Sequence, residues 1–251
     1  MLEAWLAYAG LFVAGLAAGA LNVVAGGGSF LTLPILILMG LPAAAANGTN
    51  RVGIVLQNVG AVWGFRRHGL WDPAWALWAA GPATAGSILG TLAALWVDDK
   101  SFKQILATLM VAITLWTLWD PMKSPDGTAA RSSGPSPLVM GAGFFLAGVY
   151  GGFVQAGVGF LLLAVTTYAG YDLVRGNALK VLCVLIFTPI TLAMFAWQGH
   201  VDWGLGLVLA AGNVIGGLFG VRLTVLKGHR WIRGVVTISI IALAVKLWMS
   251  S

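Results

Sequence analysis

The second half of the chain repeats the first half at a fixed, gapless offset of 130 residues. Apolar matches are expected by chance in so apolar a chain, but matched glycine, asparagine and aspartate residues are not. Such matches include Gly27 with Gly157, Asn47 with Asn177, Asp72 with Asp202, Gly86 with Gly216 and Gly90 with Gly220. Self-similarity of this kind indicates two copies of one structural unit. We expect repeats at 1–120 and 138–251, joined by a linker at 121–137 that is rich in Pro, Gly and Ser.

Charged residues are too few for a soluble protein of this length. They make up 9% of the 251 residues, whereas hydrophobic residues make up 59%. Soluble domains have roughly 25% charged residues, because their surfaces must be hydrated. The 35 glycines fit the same interpretation, since small residues let membrane helices pack closely. The sequence therefore predicts an all-α integral membrane protein, whose surroundings are the lipid bilayer.

Each half shows the same series of apolar segments. A first segment is followed by a break, a short apolar run and three longer segments. The segments lie near 4–24, 30–39, 47–65, 74–97 and 102–119, and again near 141–155, 160–169, 177–197, 204–226 and 232–249. A helix over 30–39 would rise only about 15 Å, roughly half the hydrocarbon thickness. We therefore predict that each half is a broken or re-entrant helical hairpin plus three transmembrane helices.

Basic loops occur at non-equivalent positions in the two halves. Loop 66–73 holds two arginines and its counterpart 198–203 holds no Lys or Arg, whereas 222–233 holds four basic residues and its counterpart 98–103 has no net charge. Basic loops of membrane proteins stay cytoplasmic, so this distribution predicts two repeats of inverted topology. Loop 66–73, the linker and 222–233 then share the inner side of the cell inner (plasma) membrane. Both termini of this multi-pass protein are predicted to lie outside.

The two breaks form the candidate substrate site. The first contains Gly26, Gly27, Gly28 and Ser29, and the second surrounds Gln155. In inverted-repeat transporters, discontinuous helices at matching positions of the two halves mark a site near the bilayer midplane. A helix that begins near Ser29 would direct free N–H groups and its positive dipole end into that site. A cavity between two such helix N-termini is suited to an anion.

Polar residues within apolar sequence accompany these breaks. Burying such residues in lipid costs on the order of several kcal/mol, so they are candidate ligands. The predicted substrate-binding residues are Asn22, Gly26, Gly27, Gly28, Ser29, Asn47, Thr49, Asn50, Arg51, Gln155, Asn177 and Lys180. Within this set Arg51 and Lys180 would add positive charge at the starts of the third helix of each half.

The same residues also have structural interpretations. Asn47 and Asn177 could cap the helices that they are predicted to open. Arg51 and Lys180 could extend to the membrane interface as ordinary flanking charges. The glycine triplet could be a tight turn between two ordinary helices.

No motif in the sequence indicates an enzyme. GGGSF (26–30) is neither a GxSxG elbow nor a phosphate-binding loop, and no histidine lies within an apolar segment to act as a base for Ser29. No HExxH motif, carboxylate pair or Cys/His cluster offers a metal site, so we expect no cofactor and no metal. The net charge of +6 arises from short clusters between apolar runs, which argues against nucleic-acid binding. The mid-helix amides that could form interhelical hydrogen bonds are those of Gln57, Asn58 and Asn213.

Two long motifs resemble a known family. The segment GLAAGALNVVAGGGSFLTLPILILMGLPAAAANGTNRVG (15–53) is similar to the first repeat signature of the sulfite exporter TauE/SafE family, which includes permeases like that for 4-toluene sulfonate uptake. The segments GVYGGFVQAGVGFLLLAV (148–165) and GNALK (176–180) resemble its second signature. The resemblance covers nearly the whole chain. It implies a bacterial-type permease for sulfite, sulfonate, sulfoacetate-like or other organosulfur anions.

The sequence thus predicts a membrane transporter of a small sulfur oxyanion. We expect alternating access between the two repeats around an anion, and the resemblance implies export. An anion channel with the same site and a non-transporting membrane sensor or scaffold are the alternatives. The expected partners are the small anion and the lipid bilayer, and assembly into a homo-oligomer is left open.

Overall fold

The computed structural model describes the backbone of residues 2–118 and 136–250, and the side chains of residues 5–109, 111–112 and 136–227. All regular structure within these residues is α-helical. The nine helices of this part of the chain are α1 (Leu2–Val24), α2 (Ser29–Leu38), α3 (Ala43–Arg67), α4 (Pro73–Trp96), α5 (Asp99–Leu118), α6 (Pro137–Phe153), α7 (Val158–Tyr168), α8 (Leu173–Trp197) and α9 (Trp203–Ser250). The predicted linker lies outside the described residues up to position 135.

Each half contains the predicted helix break. The chain leaves α1 at Val24 and enters α2 at Ser29, and it leaves α6 at Phe153 and enters α7 at Val158. Because α2 has 10 residues and α7 has 11, each is only about half a bilayer long. Both connections pass through a glycine of positive φ, Gly26 at 94° and Gly157 at 79°, a conformation that residues with a Cβ rarely adopt.

The third helix of each half begins four residues earlier than the sequence predicted. Helix α3 begins at Ala43, directly after Pro42, and α8 begins at Leu173, where the Asp172 carboxylate accepts hydrogen bonds from the N–H groups of Val174 and Arg175. Asn47 and Asn177 therefore lie inside these helices, and the interpretation of the two as N-caps is wrong. The stretch of alanines after Pro42 has high helix propensity, and it holds no polar residue that would mark the true start.

The C-terminal region differs from the prediction in one respect. The sequence suggested two segments, 204–226 and 232–249, separated by a basic loop, but α9 continues through both as a helix of 48 residues. No proline interrupts this stretch, and a single glycine at 228 weakens a helix by only about 1 kcal/mol. The basic residues of 222–233 thus lie on a helix and not in a loop.

The matched aspartates of the repeat are both helix caps. The Asp72 carboxylate accepts a hydrogen bond from the Trp75 N–H at the start of α4, and the Asp202 carboxylate accepts one from the Leu205 N–H at the start of α9. An aspartate at this position satisfies one of the unpaired amides of the first turn. The repeat therefore preserves a local signal that starts the fourth helix of each half.

The most extensive helix contacts are between the two halves. Helix α1 of the first half packs along α9 of the second, and α4 of the first half packs along α6 of the second. Glycines at both contacts allow the helices to approach closely. A methyl group on Gly86 of α4 would lie 2.1 Å from the Phe145 carbonyl oxygen, and one on Gly216 of α9 would lie 2.0 Å from the Leu16 carbonyl oxygen. Spacing of small residues by four is the usual basis of such helix pairs in membranes.

The exterior of the bundle is apolar, as lipid exposure requires. Three helical segments among the described residues are long and apolar enough to cross a membrane, namely Trp5–Val24, Leu173–Trp197 and Trp203–Lys227. Trp96 and Trp197, at the ends of α4 and α8, are each 90% exposed. Tryptophan at helix ends is typical of the membrane–water interface. The composition and this surface together place the protein in a membrane.

Candidate functional site

The two helix breaks meet each other at the centre of the bundle. A methyl group on Gly26 would lie 2.4 Å from the Cα of Gly159, so the two backbones touch where only glycine fits. The aromatic rings of Phe30 and Phe160, which are matched in the repeat, stack with centroids 6.4 Å apart. Each ring also covers the other half's break, since methyl groups on Gly157 and Gly27 would lie 2.4 Å and 2.7 Å from Phe30 and Phe160.

A small cavity lies at this meeting point, and it brings together the beginnings of the two short helices. Ser29 is the first residue of α2, and Val158 and Gly159 are the first residues of α7. The lining residues are Asn22, Gly26, Ser29, Ile54, Gln57, Asn58, Gln155, Val158, Gly159, Lys180, Val181 and Val184. The N-terminal ends of both helices thus lie at one place, where their dipoles favour negative charge.

Arg51 is fully buried and binds the end of α6. Its Nη2 donates to the carbonyl oxygens of Gly151 at 3.1 Å and Gly152 at 2.7 Å, and its Nη1 donates to Gln155 Oε1 at 3.0 Å and Thr191 Oγ1 at 2.7 Å. The carbonyls at the end of a helix carry partial negative charge and have no partner within the helix. The guanidinium therefore closes the C-terminus of α6, and its interpretation as an interfacial flanking charge is wrong.

Lys180 has the corresponding role at the end of α1. Its Nζ donates to the carbonyl oxygens of Asn22 and Val23, both at 3.0 Å, and to Asn177 Oδ1. Three hydrogen bonds use all three donors of an ammonium group. The side chain is only 2% exposed, so it does not extend to the membrane interface either. Each half thus supplies the cation that closes the broken helix of the other half.

The paired asparagines Asn47 and Asn177 support the same two helix ends. Asn47 Nδ2 donates to the Phe153 carbonyl at 2.8 Å, and its Oδ1 accepts from the Gln155 N–H at 3.5 Å. Asn177 Nδ2 donates to the Val24 carbonyl at 3.0 Å. Neither residue lines the cavity. Their match in the repeat is explained by one shared role, in which each holds the break of the opposite half.

The remaining predicted residues divide between the cavity and its supports. Asn22, Gly26, Ser29, Gln155 and Lys180 line the cavity. Asn50 lies behind it, where its Oδ1 accepts from Thr32 Oγ1 at 2.7 Å and its Nδ2 donates to Ser29 Oγ at 3.0 Å.

Three of the predicted residues lie away from the cavity. Gly27 packs against the Phe160 ring, and Gly28 packs against α1, since a methyl group on it would lie 2.0 Å from the Ala18 carbonyl oxygen. Thr49 accepts a hydrogen bond from the Asp202 N–H at 2.9 Å and so joins α3 to the loop before α9.

Two amides of the cavity, Gln57 and Asn58, were not predicted as ligands. Both lie in the middle of α3 and are 1% and 3% exposed. Gln57 Oε1 accepts from Asn22 Nδ2 at 3.3 Å, and among the described residues Asn58 has no hydrogen-bond partner. The sequence carried a signal for them, because Gln57 and Asn58 follow Arg51 by six and seven residues on the same helix, about two turns further along.

The cavity is too small for a sulfur oxyanion in this conformation. Its volume of about 20 Å³ accommodates about one water molecule. A larger recess of about 250 Å³ lies near the loops that follow α3 and α7, where Trp71, Asp72, Tyr171 and Arg175 line it. Phe65, Ala178 and Val181 pack in one apolar cluster. Val181 lines the cavity, and Ala178 lines the recess. One apolar cluster therefore adjoins both the cavity and the recess.

Comparison with known proteins identifies one family. The sequence model of the family described as "Sulfite exporter TauE/SafE" matches residues 11–247. A Sinorhizobium protein named "Probable membrane transporter protein ORF9" is 30% identical over 94% of this chain and 90% of its own length. A "Probable membrane transporter protein" of Haemophilus influenzae is 32% identical over 94% and 92%. "Probable membrane transporter protein YfcA" of Escherichia coli K12 is 29% identical over 96% and 89%. No solved structure matches the chain significantly.

Proposed function

The chain belongs to the sulfite exporter TauE/SafE family and is a membrane transporter, and we propose that it exports a small sulfur oxyanion through the central cavity. Sulfite, sulfonates and sulfoacetate-like anions form the proposed substrate class. The observation that carries this proposal is the convergence of the first residues of α2 and α7 on one cavity. Helix N-termini that face one another favour an anion and disfavour a cation.

The disposition of the buried cations supports the same substrate charge. Arg51 and Lys180 neutralise the C-terminal carbonyls of α6 and α1, which would otherwise bring partial negative charge close to the cavity. With those helix ends closed, the potential at the centre comes from the two N-termini and the two cations. Arg51 and Lys180 thus act on the anion through the field and through the backbone that they hold, and the amides around the cavity make the contacts.

The proposed mechanism is alternating access between two repeats of inverted topology. A central cavity of about 20 Å³ and a recess of about 250 Å³ near the loops after α3 and α7 fit a conformation that is narrow at the centre and wider on one side. Arg66 and Arg67, at the end of α3, support a cytoplasmic location for that side, because basic residues favour the inner face. We place the protein in the inner membrane as a multi-pass chain with both termini outside, organised in repeats 1–120 and 138–251.

Flux measurements on purified protein in liposomes test the function. We expect radiolabelled sulfite or a small sulfonate to cross the membrane at a rate that saturates with concentration. Asn58→Ala, which removes an amide from the cavity, should slow that flux, whereas Asn213→Ala removes an equally buried amide that lies outside the cavity and should leave it unchanged.

The outcome of the same measurement separates the alternatives. Flux at channel-like rates without saturation would replace alternating access by an anion channel. Binding of an anion without any flux would favour a sensor. The absence of both binding and flux for all sulfur oxyanions and carboxylates would remove the proposed substrate class.

A further inference from the structure

We propose that the amide groups of Gln57 and Gln155 are held with only their N–H donors available to the cavity, so that the site selects oxyanions that carry no proton. The inference rests on the proposed function and names the substrate class more narrowly. It would favour sulfonates, sulfite dianion and sulfate over hydrogen phosphate, phosphonate monoanions and protonated acids. These ligands have similar shape, and they differ in whether an oxygen bears a hydrogen.

Arg51 determines the orientation of Gln155. The Oε1 of Gln155 lies 3.0 Å from the Nη1 of Arg51, which donates to it. A guanidinium has five N–H donors and no acceptor, so the reversed amide would place donor against donor in a buried site. The oxygen of Gln155 must therefore face Arg51. Gln155 lines the cavity, and its Nε2 hydrogens, which have no partner among the described residues, are free for a ligand there.

A chain of two hydrogen bonds determines the orientation of Gln57 in the same way. The Ser29 N–H, which can only donate, is 3.3 Å from Asn22 Oδ1. This contact fixes Asn22 so that its Nδ2 donates, and its acceptor is Gln57 Oε1 at 3.3 Å. Because that oxygen is occupied, the Nε2 hydrogens of Gln57 remain for the cavity, which Gln57 also lines. Asn22 is thus a positioning residue for Gln57, as Arg51 is for Gln155.

The other polar groups at the cavity add donors. Asn50 Nδ2 donates to Ser29 Oγ at 3.0 Å, which leaves the Ser29 hydroxyl hydrogen to donate. In the first turn of α2 the amides of Ser29, Phe30 and Leu31 already have acceptors within the chain. The first-turn donors left for a ligand at the cavity are those of α7, at Val158 and Gly159. Asn58, 3% exposed and without a partner among the described residues, can turn either end of its amide to a ligand. Two oriented glutamines, one serine and the N-terminus of α7 therefore face the ligand as donors, and Asn58 can supply either a donor or an acceptor.

A ligand that carries a proton would lose an interaction in such a site. Its hydroxyl hydrogen needs an acceptor, which Asn58 can supply only by turning its own N–H donors away from the ligand. A buried hydroxyl that faces the remaining N–H donors gives up the hydrogen bond it made to water. A sulfonate of the same shape accepts from every donor. Since charge-assisted hydrogen bonds are roughly twice as strong as neutral ones, the loss of one should weaken binding by about tenfold or more.

The test compares two ligands of one shape with the purified full-length protein. Methanesulfonate has no ionisable proton, whereas methylphosphonate is a protonated monoanion below its second pKa and a dianion above it. Binding of both is measured by calorimetry at a pH on each side of that pKa. We expect methanesulfonate to bind equally well at both values, and methylphosphonate to bind at least about tenfold better above its pKa than below it.

Two substitutions examine the orienting contacts. Gln57→Glu and Gln155→Glu retain the shape of each side chain but replace the amide donor by an acceptor, and they should reduce or reverse the preference for methanesulfonate. Gln198→Glu changes an exposed residue at the end of α8. It is the matched control, and this variant should bind both ligands as the unmodified protein does.

Equal binding of sulfonate and protonated phosphonate overturns the inference and leaves the anion site in place. Unchanged preference in both cavity variants also overturns it. Failure of every anion to bind the unmodified protein overturns the proposed function as well.

Discussion

At the scale of single residues, the buried cations Arg51 and Lys180 close the broken helices. A helix that ends in the protein interior leaves carbonyl groups with no water to accept from, and each unpaired group there costs on the order of several kcal/mol. Arg51 supplies two donors to the end of α6 and Lys180 two to the end of α1. The breaks that create the cavity are stable because these two side chains complete them.

Lys180→Met should destabilise the protein strongly. The substitution keeps the length of the side chain and removes the donors to Asn22, Val23 and Asn177. Each buried acceptor left without a donor costs about 1–3 kcal/mol, and three such acceptors should give a large fall in the thermal unfolding temperature in detergent. Lys103→Met is the control, because Lys103 forms a half-exposed pair with Asp99 and such pairs contribute about 1 kcal/mol or less. Equal unfolding temperatures for the two variants would show that Lys180 does not hold α1.

Sequence reasoning identified the polar residues at this scale but not the contacts that they make within the protein. Asn22, Ser29, Gln155 and Lys180 were selected because they are polar within apolar sequence, and they do line the cavity. Which acceptor Arg51 binds could not be predicted, because Gly151 and Gly152 lie about 100 residues away and present only backbone groups. A backbone carbonyl leaves no mark in the residue type, so its partner is visible only in the structure.

At the scale of helices, close contact depends on glycines spaced by four. Along α4 and α6, Gly86 and Gly90 face carbonyl oxygens of α6, and Gly148 and Gly152 face those of α4. Without a hydrophobic driving force between helices in lipid, this close packing is the main attraction between them. The pair α4–α6 and the pair α1–α9 therefore hold the two halves together.

Gly90→Ala should weaken the α4–α6 contact. The added methyl group would lie 1.9 Å from the Val149 carbonyl oxygen, so the helices must separate, at a cost of about 1–3 kcal/mol for overpacking. Gly81→Ala on the same helix meets no atom within 4 Å and should be neutral or slightly stabilising, since alanine favours helix. The fraction of monodisperse protein after heating, measured by size-exclusion chromatography, compares the two. A similar loss in both variants would argue against the packing explanation.

Asp202→Ala should shorten or fray the beginning of α9. The change removes the carboxylate that accepts from the Leu205 N–H at 2.9 Å and should cost about 1 kcal/mol. Asp202→Asn retains an oxygen acceptor and should recover most of the loss. Hydrogen exchange of the amides at 203–206, followed by mass spectrometry, should show faster exchange in the alanine variant alone. Fast exchange in the asparagine variant would point to charge and not to capping.

The existence of the helices was predictable, and their starts were less so. The breaks at Gly26 and near Gln155 were marked by glycines and by their repetition in both halves. The starts of α3 and α8 were marked only by Pro42 and Asp172, which are ordinary signals for a helix start. The polar residues Asn47 and Asn177 were taken as the starts instead. The continuity of α9 beyond Lys227 followed from the absence of a proline, while the basic residues there suggested a loop.

At the scale of the whole molecule, the inverted orientation of the two halves is open to a direct test. Arg67 at the end of α3 and Gln198 at the end of α8 occupy nearly equivalent places in the two repeats, and both are exposed. Cysteines introduced singly at these positions, in a Cys183→Ala background, should react with a membrane-impermeant maleimide from opposite faces of the membrane. Cys183 itself is buried. Labelling of both positions from the same face would contradict the inverted topology.

The packing of helices between the two halves was the least predictable property of the molecule. The apolar faces of α1 and α4 could pack equally well against neighbours in their own half or against lipid, because both are apolar. The glycines at these contacts were visible in the sequence as repeated positions, 86/216 and 90/220. A glycine does not indicate, however, which helix will pack against it. Only the arrangement of all the helices determines that partner.

This packing between the halves has a consequence for how the protein is made in the cell. Helices α1 and α4 leave the ribosome well before α6 and α9, with which they pack. During synthesis the glycine-lined faces of the first half, and the carbonyls at the end of α1 that await Lys180, therefore remain in the membrane without their native neighbours. The first half therefore completes its packing only after the second half has been made, so that the two halves reach the folded state together.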